Sequence, residues 1–536
     1  MGKAPYFGLR GHSLHRAIWG LSCVAIMIFA YNQAAAPNLV TFPTFYKQFP
    51  ELNIITSTGA QKSHNATITG TVMSTYTLLG AFGALGCTFL GDIWGRRWTI
   101  WVSCFVQSVG CLLMATSYEL GQFVVARVLL GLGTGGIIAT VSVWQAETAK
   151  AATRGEHVAS FGIYCGLGLV LALWLIFGMS YVDGSISWRF PLVVPIILGI
   201  IVQSFIFSLP ESPRWLVKKG RSAEAVEIMS ILYDVDRSDA ELQSEIRDIE
   251  LSLEINKDVS LMSMFKMGPQ RIFHRVVLAG IIQMYLQMSG TNVVVYYCTT
   301  LFEVELKFST TEAGILAASL MFTLIIGSVI ASFTVDRWGR RPLMLTSAAC
   351  MTVCMAGVAG CTSNPNNPTA LKAGAFFVFA FETCYCIGFL GVPFLYASEV
   401  APVHLRAAVC GVATAISWLF NYLVAEVTPI GFTSIGWRYF LVYVCTNAAA
   451  GITVYFFYPE TAGRTLEEID EIFTKSTSIF DPVSVAKKLP KQHLADFLKE
   501  EAEHDPKIKD LVEHIEGSDV SIDRAYVVEP TKLEKA

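Results

Sequence analysis

The feature of this sequence that most constrains its fold is a series of long apolar runs. A helix needs about 20 mostly apolar residues to cross the hydrocarbon core of a bilayer. Twelve runs meet this requirement, and charged residues make up only 15% of the 536 positions, against about 25% in soluble domains. We therefore predict an all-α membrane protein with twelve transmembrane helices. These spans, numbered 1 to 12 in chain order, are predicted at residues 17–37, 70–90, 98–117, 121–146, 156–181, 190–209, 275–300, 312–335, 342–362, 373–398, 407–430 and 438–458.

A charged motif recurs between the apolar runs. Residues 91–97 read Gly-Asp-Ile-Trp-Gly-Arg-Arg, and residues 335–341 read Val-Asp-Arg-Trp-Gly-Arg-Arg. Other pairs repeat in the same order at nearly the same separation, namely Glu147 and Arg154 with Glu399 and Arg406, Trp188-Arg189 with Trp437-Arg438, and Pro210-Glu211-Ser212 with Pro459-Glu460-Thr461. Ordered matches at nearly one spacing indicate an internal duplication. We therefore predict two pseudo-symmetric six-helix bundles.

The distribution of basic residues predicts the orientation in the membrane. Arg and Lys concentrate in alternate short loops, and loops of this kind face the cytoplasm. We expect both termini in the cytoplasm, and we expect the protein to act as a monomer in the plasma membrane. The predicted segments are a cytoplasmic N-tail (1–16), a first bundle (17–209), a cytoplasmic linker with short helices (210–274), a second bundle with its cytoplasmic end motif (275–473) and a partly disordered cytoplasmic C-tail (474–536).

Other classes of function find little support in the sequence. The net charge of −4 is too small to indicate a nucleic-acid partner, and the 13 cysteines include no Cys-x-x-Cys motif. No nucleophile–base constellation, metal-spaced histidine cluster or phosphate loop stands out, so we predict neither an enzyme nor a bound cofactor or metal. The loop after span 1 contains the sequon Asn65-Ala66-Thr67, which makes Asn65 a candidate for glycosylation.

Several motifs are shared with a known family. They are the two Asp-x-x-Gly-Arg-Arg loops, Arg127-x-x-x-Gly-x-Gly, Pro210-Glu-Ser-Pro-Arg, Gln287-x-Ser-Gly-x-Asn and Pro459-Glu-Thr-x-Gly. Over about residues 17–473 the sequence resembles the sugar porter family of the major facilitator superfamily, and residues 387–396 with Glu399 resemble its fungal members. The resemblance implies a sugar substrate, a central cavity between two bundles and alternating access.

Acidic and basic residues alternate at the predicted cytoplasmic ends of the spans. Basic residues alone would set only the topology, but carboxylates add little to that signal, and arginine can hold a carboxylate with two parallel hydrogen bonds. As the resemblance implies, we expect an inner gate that latches the bundles when the cavity faces outward. The candidate gate residues are Asp92, Arg96, Arg97, Glu147, Arg154, Glu211, Arg214, Asp336, Arg340, Arg341, Glu399, Arg406 and Glu460.

The candidate substrate site uses polar side chains without charge, because sugar hydroxyls both donate and accept hydrogen bonds and amides do both. Gln283 and Gln287 lie four residues apart on one face of span 7, and Ser289-Gly290 allows a helix break that turns Asn292 toward the same cavity. Packing between helices is the alternative use of a single membrane amide. With the positions that the resemblance adds, the set is Gln283, Gln287, Asn292, Phe394, Ser417, Trp418 and Asn421, with Tyr296 and Tyr297 as an outer lid.

The chain departs from the family at several cavity positions. Phe394 stands where the family usually has tryptophan, although its ring can still stack on a sugar. Gly162, Leu286 and Leu324 stand where polar amides are common. Because each missing hydrogen bond costs about 1 kcal/mol, we expect weak binding of simple hexoses or a fit to a larger or less polar ligand. A disaccharide or another polyol is therefore also a candidate substrate.

Three positions bear on coupling to protons. Proton-driven members of the family place an aspartate in span 1 facing an arginine in span 4, and here these positions hold Asn32 and Arg127. Because asparagine does not titrate, we favour facilitative uniport. Glu382 lies deep in span 10, and an intramembrane carboxylate is a functional candidate, so proton-coupled symport through Glu382 is an alternative. A non-transporting sugar receptor on the same scaffold is another, since the lost amides would suit it.

Overall fold

The computed structural model describes residues 5–149, 154–255, 261–402, 405–464 and 466–489. Within these ranges the chain is almost entirely helical and contains no β-strand. The predicted C-tail beyond residue 489 lies outside the described residues, as do the first four residues of the predicted N-tail. The prediction of an all-α protein is confirmed.

Each half contributes six spans. Spans 1 to 6 are the helices Gly11–Leu39, Gly59–Trp94, Arg96–Ala115, Leu120–Thr148, Arg154–Met179 and Ile186–Phe205. Span 7 begins with Ile272–Met288 and continues after a break as Thr291–Tyr296, Cys298–Thr300 and Leu301–Glu305. Spans 8 and 9 are Thr310–Trp338 and Arg340–Thr362, span 10 consists of Pro368–Tyr385, Cys386–Leu390 and Val392–Val400, and spans 11 and 12 are Arg406–Ile435 and Tyr439–Phe457.

Short helices lie at the ends of the bundles. Between the halves they are Pro213–Lys218, Ser222–Tyr233, Ala240–Ile255 and Leu261–Phe265, and after span 12 they are Leu466–Lys475 and Asp481–Lys488. The loop after span 1 holds Pro43–Gln48 and Pro50–Leu52, and the chain before span 1 holds Pro5–Gly8.

The described residues include ten segments that are long and apolar enough to cross a membrane. One of them, Ala408–Phe457, contains both span 11 and span 12, which are separated by the turn Gly436–Arg438. Span 7 is not among the ten, because its first helix is only 17 residues long before it breaks. With these two corrections the number of spans is twelve, as the sequence predicts.

Two contact surfaces join the halves. Span 2 packs along span 11, and span 5 packs along span 8, which are equivalent pairs under the internal duplication. Within the halves, span 4 packs against spans 2 and 3, and span 12 packs against span 9. Small residues permit this density: a Cβ at Gly135 would collide with the backbone of Gly80, so the helices that carry these glycines meet backbone to backbone.

Two spans differ in outline from their predictions. Span 2 begins at Gly59 rather than at residue 70, because its helix extends through polar residues beyond the apolar run. Span 10 is not a single helix, because a π-helical turn, Cys386–Leu390, interrupts it before Pro393. Helix interruptions of this kind are found where backbone lines a cavity or packs against protein.

Candidate functional site

The break in span 7 creates the local geometry of the candidate substrate site. Gly290 has a φ of +104°, a conformation that glycine adopts at little cost. The carbonyls freed by the break are satisfied from span 12: Thr446 Oγ1 donates to Met288 O at 2.8 Å, and Asn447 Nδ2 donates to Ser289 O at 2.9 Å. Span 12 therefore holds the break in place, and the helix resumes at Thr291 in a new direction.

A chain of polar side chains crosses this break. Gln287 Nε2 donates to Ser417 Oγ of span 11 at 2.7 Å, and Asn292 Nδ2 donates to Gln287 Oε1 at 2.5 Å. All three residues are buried and none carries a charge. The structure therefore brings together three of the predicted substrate residues, from spans 7 and 11, in one hydrogen-bonded cluster.

The predicted lid residues lie on the same side of span 7. Tyr296 OH donates to Asn421 Oδ1 at 2.8 Å, and Tyr297 OH donates to the Ala425 carbonyl at 3.0 Å. Both tyrosines are almost completely buried. These bonds tie the second helix of span 7 to span 11.

Trp418 forms the wall of the site toward the first half. Its ring meets Phe29 of span 1 edge-on at 6.0 Å between centroids. On the other side it lies against Gly80 of span 2, where an added Cβ would come within 2.7 Å of the ring. The tryptophan thus touches both halves of the molecule beside the amide cluster.

Two predicted substrate residues stand apart from this cluster. Gln283 is 1% exposed, and its Oε1 has no hydrogen-bond partner among the described residues. Phe394 is 38% exposed, and no hydrogen bond or ring contact links its side chain to the amides in the part of the chain that the structure describes. Gln283 offers an unused acceptor one helical turn from Gln287.

The positions where polar family residues are missing are closed by packing. A Cβ on Gly162 would collide with the Ser328 hydroxyl and come within 3.1 Å of Leu390. Leu286 and Leu324 are each only 3% exposed. Spans 5, 8 and 10 thus meet where the resemblance places amides, and the polar part of the site is confined to spans 7 and 11.

Asn32 and Arg127 are both buried inside the first half. Cys111 Sγ lies 3.7 Å from Asn32 Oδ1. Arg127 is 1% exposed, donates to the carbonyls of Val72 and Met73 and lies over the Tyr76 ring at 5.1 Å. No ion pair of Arg127 is found among the described residues: two backbone carbonyls and a ring face contact the guanidinium, and its Nη1 is buried without a hydrogen-bond partner there.

Glu382 lies completely buried beside the break in span 7. Its Oε1 accepts a hydrogen bond of 2.9 Å from Thr291 Oγ1, and its Oε2 has no partner among the described residues. Thr291 could not be predicted as its partner from the sequence, because residues 291 and 382 are far apart in the chain. Thr291 is the first residue after Gly290, so the carboxyl group is connected directly to the broken helix.

Charged residues at the end of the bundles that bears the repeated motifs, called here the inner end, form two similar networks. In the first half Arg96 pairs with Asp92 at 3.0 Å and with Glu147 at 2.9 Å. Glu211 accepts from the backbone N–H groups of Arg96 at 3.1 Å and Arg97 at 3.2 Å. The carboxylate of Glu211 therefore caps the start of span 3.

The second half repeats this arrangement with the equivalent residues. Arg340 pairs with Asp336 at 2.8 Å and with Glu399 at 2.9 Å, and Glu460 accepts from the backbone N–H groups of Arg340 and Arg341, both at 3.0 Å. The turns before these arginines also match, since Gly95 has a φ of +91° and Gly339 a φ of +92°. The duplication thus extends to side-chain geometry.

Two of the predicted gate residues, Arg214 and Arg406, make none of these contacts, and a third cannot be described. Arg214 is exposed, the side chain of Arg154 lies outside the described residues, and Nε and Nη2 of Arg406 are buried without a hydrogen-bond partner among the described residues. Every ion pair of the described gate residues lies within one half and the segment that follows it. Among the described residues, therefore, no ion pair bridges the two halves at the inner end.

Hydrogen bonds between the halves lie at the opposite end, called here the outer end, and sequence reasoning missed them. Asn38 of span 1 donates to Val295 O at 3.2 Å, and its Oδ1 accepts from the Thr299 hydroxyl at 3.1 Å. Glu426 of span 11 accepts from Thr71 at 2.7 Å and from Ser74 at 2.5 Å, both in span 2. These contacts close the outer end.

The structure argues against the predicted glycosylation of Asn65. This residue is 3% exposed, and Nδ2, the atom to which a glycan would attach, donates to Pro50 O at 3.1 Å and to Asn53 O at 2.8 Å. A glycan on this nitrogen is incompatible with the packing. The sequon could not reveal this, because it contains no information about tertiary burial.

Comparisons with known proteins agree with this architecture. Residues 21–473 match the model of the family described as "Sugar (and other) transporter". The chain is 32% identical to Sugar transporter STL1 of Saccharomyces cerevisiae, covering 92% of this chain and 87% of that protein, and 32% identical to the MFS-type transporter oryC of Aspergillus oryzae, covering 92% of each.

Solved structures show the same fold. The proton:xylose symporter XylE of E. coli superposes with a TM-score of 0.71 at 21% identity, covering 86% of this chain and 99% of that one. The predictions of a major facilitator fold and of a transporter rather than an enzyme are confirmed. The chain is a multi-pass membrane protein and belongs to the Sugar (and other) transporter family.

Proposed function

We propose that this protein carries a sugar or a related polyol across the membrane by alternating access, as a facilitative uniporter. The observation that carries the proposal is the uncharged cluster of Asn292, Gln287 and Ser417 at the break in span 7. Amide and hydroxyl groups can both donate to and accept from sugar hydroxyls. With Trp418 beside them, they provide the polar groups and the apolar ring face that a sugar ring requires.

Closure of the outer end supports the alternating-access part of the proposal. Asn38 and Glu426 each hydrogen-bond across the halves at that end, whereas the described gate ion pairs stay within their own halves. In the proposed cycle the outer bonds break when the inner ends approach. The charged networks of Arg96 and Arg340 then act as rigid inner surfaces that meet and form the inner gate.

The absence of a titratable group at position 32 favours uniport. Asn32 cannot exchange a proton, and Arg127 is solvated by carbonyls and the Tyr76 ring. Because Arg127 has these partners, the transport cycle does not require a carboxylate at position 32 that gains and loses a proton. The simplest cycle is then transport down the sugar gradient without coupled movement of protons.

Proton-coupled symport is the second candidate, and the burial of Glu382 supports it. A fully buried carboxyl group that is unpaired with a cation is costly when ionised, and an intramembrane carboxyl group is a functional candidate. Its bond to Thr291 connects it to the helix that carries Asn292. A proton on Glu382 could therefore be linked to the substrate through span 7.

Uptake measurements separate these candidates. We would express the full chain in yeast cells that lack sugar transporters and measure uptake of radiolabelled hexoses, pentoses, disaccharides and polyols, with and without a protonophore. Saturable uptake that survives the protonophore supports uniport, and uptake that collapses supports symport. Surface-expressed protein without any uptake would contradict transport and favour the receptor alternative.

We infer that the protein lies in the plasma membrane as a monomer, with the linker of residues 210–274 and both termini in the cytoplasm. The two bundles of residues 17–209 and 275–473 move against each other as units. The inner end, where the basic residues concentrate, faces the cytoplasm in this orientation.

A further inference from the structure

A groove on the membrane-facing surface lies between span 9 and span 12. It has a volume of about 470 Å³ and an almost wholly apolar lining, in which small side chains, among them Ala349 and Gly451, form the floor. Leu345 and Tyr455 border it toward the inner end. The lining residues of span 12, from 447 to 456, cover about 14 Å of helix length at 1.5 Å per residue.

The first half provides an internal comparison, because the duplication equates Arg341 with Arg97. Leu345 and Ala349 then correspond to Trp101 and Phe105. Those two rings stack at 5.8 Å with an interplanar angle of 3°, and Trp98 extends the cluster to Phe207 at 4.7 Å. Aromatic side chains thus fill in the first half the space that small side chains leave open in the second.

The arginine at the inner end of the groove also differs between the halves. Arg97 lies 3.5 Å from the carboxylate of Glu211. Arg341 forms no side-chain ion pair among the described residues: its Nη2 donates to Tyr455 O at 2.7 Å, and its guanidinium lies 5.3 Å from the centre of the Tyr455 ring. Within the described part of the chain, Nε lacks a hydrogen-bond partner in both arginines, and the Glu460 carboxylate accepts from the backbone N–H of Arg341. A guanidinium without an ion pair among the described residues thus stands one helical turn from Leu345, at the mouth of the groove.

We propose that this groove binds one anionic phospholipid, with an acyl chain along spans 9 and 12 and the phosphate at Arg341. An arginine favours phosphate through charge-assisted hydrogen bonds, and Tyr455 offers an amphipathic ring of the kind that is enriched at membrane interfaces. In the proposed orientation this end faces the cytoplasmic leaflet, which is the leaflet that carries anionic lipids. The site goes beyond the transport function and does not depend on the identity of the substrate.

The lipid would stabilise the packing of span 12 against span 9. Span 12 also supplies Thr446 and Asn447, which hold the break in span 7, and Asn447 itself borders the groove. Occupation of the groove therefore acts on the same helix that positions the substrate site. Loss of the lipid is expected to lower the stability of the second half before it affects the first.

Native mass spectrometry of the full chain tests the proposal. Delipidated protein in detergent is titrated with palmitoyl-oleoyl phosphatidylserine or with the matching phosphatidylcholine. We expect one phosphatidylserine to bind about fivefold more tightly than phosphatidylcholine, the preference that about 1 kcal/mol per basic residue implies. Leu345→Trp, which copies Trp101 into the groove, should abolish this binding. Val353→Phe, on the lipid-exposed side of span 9 and outside the groove, should leave it unchanged.

Equal binding of the two lipids by the wild type would overturn the proposal, and so would undiminished binding by Leu345→Trp. A sterol that displaces phosphatidylserine from the wild type would overturn it as well. Folding is checked by the melting temperature in detergent, and Ala349→Phe, which copies Phe105, replaces Leu345→Trp if that variant does not fold. Because binding is measured without sugar, a failure here is distinct from a failure of the proposed transport.

Discussion

Asn292 Nδ2 donates a 2.5 Å hydrogen bond to Gln287 Oε1 across the break in span 7. The bond joins two helical pieces that point in different directions, and Gln287 continues it to Ser417 of span 11. Rearrangement of these three side chains around a ligand would therefore be transmitted to the second helix of span 7. Substrate binding and closure of the site would share the same groups.

The first prediction concerns Gln287. Gln287→Ala removes the central member of the cluster and leaves Asn292 and Ser417 without their partner, so we expect the apparent affinity for substrate to fall about tenfold, because unpaired buried polar groups cost roughly 1–3 kcal/mol. Uptake kinetics measure this as a higher KM. Gln61→Ala, an exposed glutamine at the outer start of span 2, serves as the control and should behave as wild type. Equal kinetics for both variants would contradict the assignment.

A second prediction concerns the outer closure. Glu426→Ala removes the acceptor for both Thr71 and Ser74, so the outer ends of spans 2 and 11 should separate more often. Hydrogen–deuterium exchange of peptides covering residues 67–77 and 291–305 should become faster. The matched control is Glu312→Ala, because Glu312 and its partner Ser309 lie in the same half and outside both peptides. Unchanged exchange in Glu426→Ala would show that these bonds do not close the outer end.

The inner turns give a third prediction. In Gly339→Ala the new Cβ would come within 2.6 Å of Glu460 Oε2, and the backbone conformation, with a φ of +92° and a ψ of 164°, costs a non-glycine residue roughly 1–3 kcal/mol. We expect a lower melting temperature for Gly339→Ala and a similar decrease for Gly95→Ala. Gly411→Ala has open space around its Cβ and should melt like the wild type. A decrease in only one of the two turn variants would contradict the structural equivalence of the halves.

A fourth prediction addresses the missing amides. If the only effect of glycine at position 162 were the loss of a hydrogen bond to the sugar, Gly162→Gln would restore that bond and improve hexose uptake. The collision of even a Cβ with Ser328 and its 3.1 Å approach to Leu390 predict instead that Gly162→Gln separates spans 5 and 8 and lowers both stability and uptake. Expression level and melting temperature test the first effect, and uptake per molecule at the surface tests the second. A gain in hexose uptake would contradict the packing argument.

The spans and the break in span 7 could be predicted from local sequence, whereas the candidate site positions on spans 10 and 11 came from the resemblance to the sugar porter family. Runs of apolar residues have the length that a bilayer requires, and Ser289-Gly290 carries its own conformational preference, so neither inference needed tertiary information. The repeated motifs of Asp92 and Asp336 predicted the paired networks, because each motif contains the charged partners four residues apart. Local patterns of this kind can be recognised without knowledge of the tertiary structure.

The contacts between distant residues could not be predicted in this way. Glu426 accepts hydrogen bonds from Thr71 and Ser74, which are more than 350 positions away in the chain. Whether Phe394 reaches the amides depends on how the interrupted span 10 turns. The burial of Asn65 depends on how the loop after span 1 folds against span 2. Each of these outcomes depends on how distant segments pack, which cannot be predicted from local patterns in a single sequence.

The measurement that tests the central claim most directly is counterflow with purified protein in liposomes. Vesicles are loaded with one unlabelled sugar or polyol at a time, and entry of the same labelled compound is followed with no proton gradient. We predict transient accumulation of at least one neutral compound by the wild type, strongly reduced for Gln287→Ala and retained for Gln61→Ala. No accumulation for any compound by folded wild-type protein, or equal accumulation for Gln287→Ala, would contradict transport through the cluster of Gln287, Asn292 and Ser417.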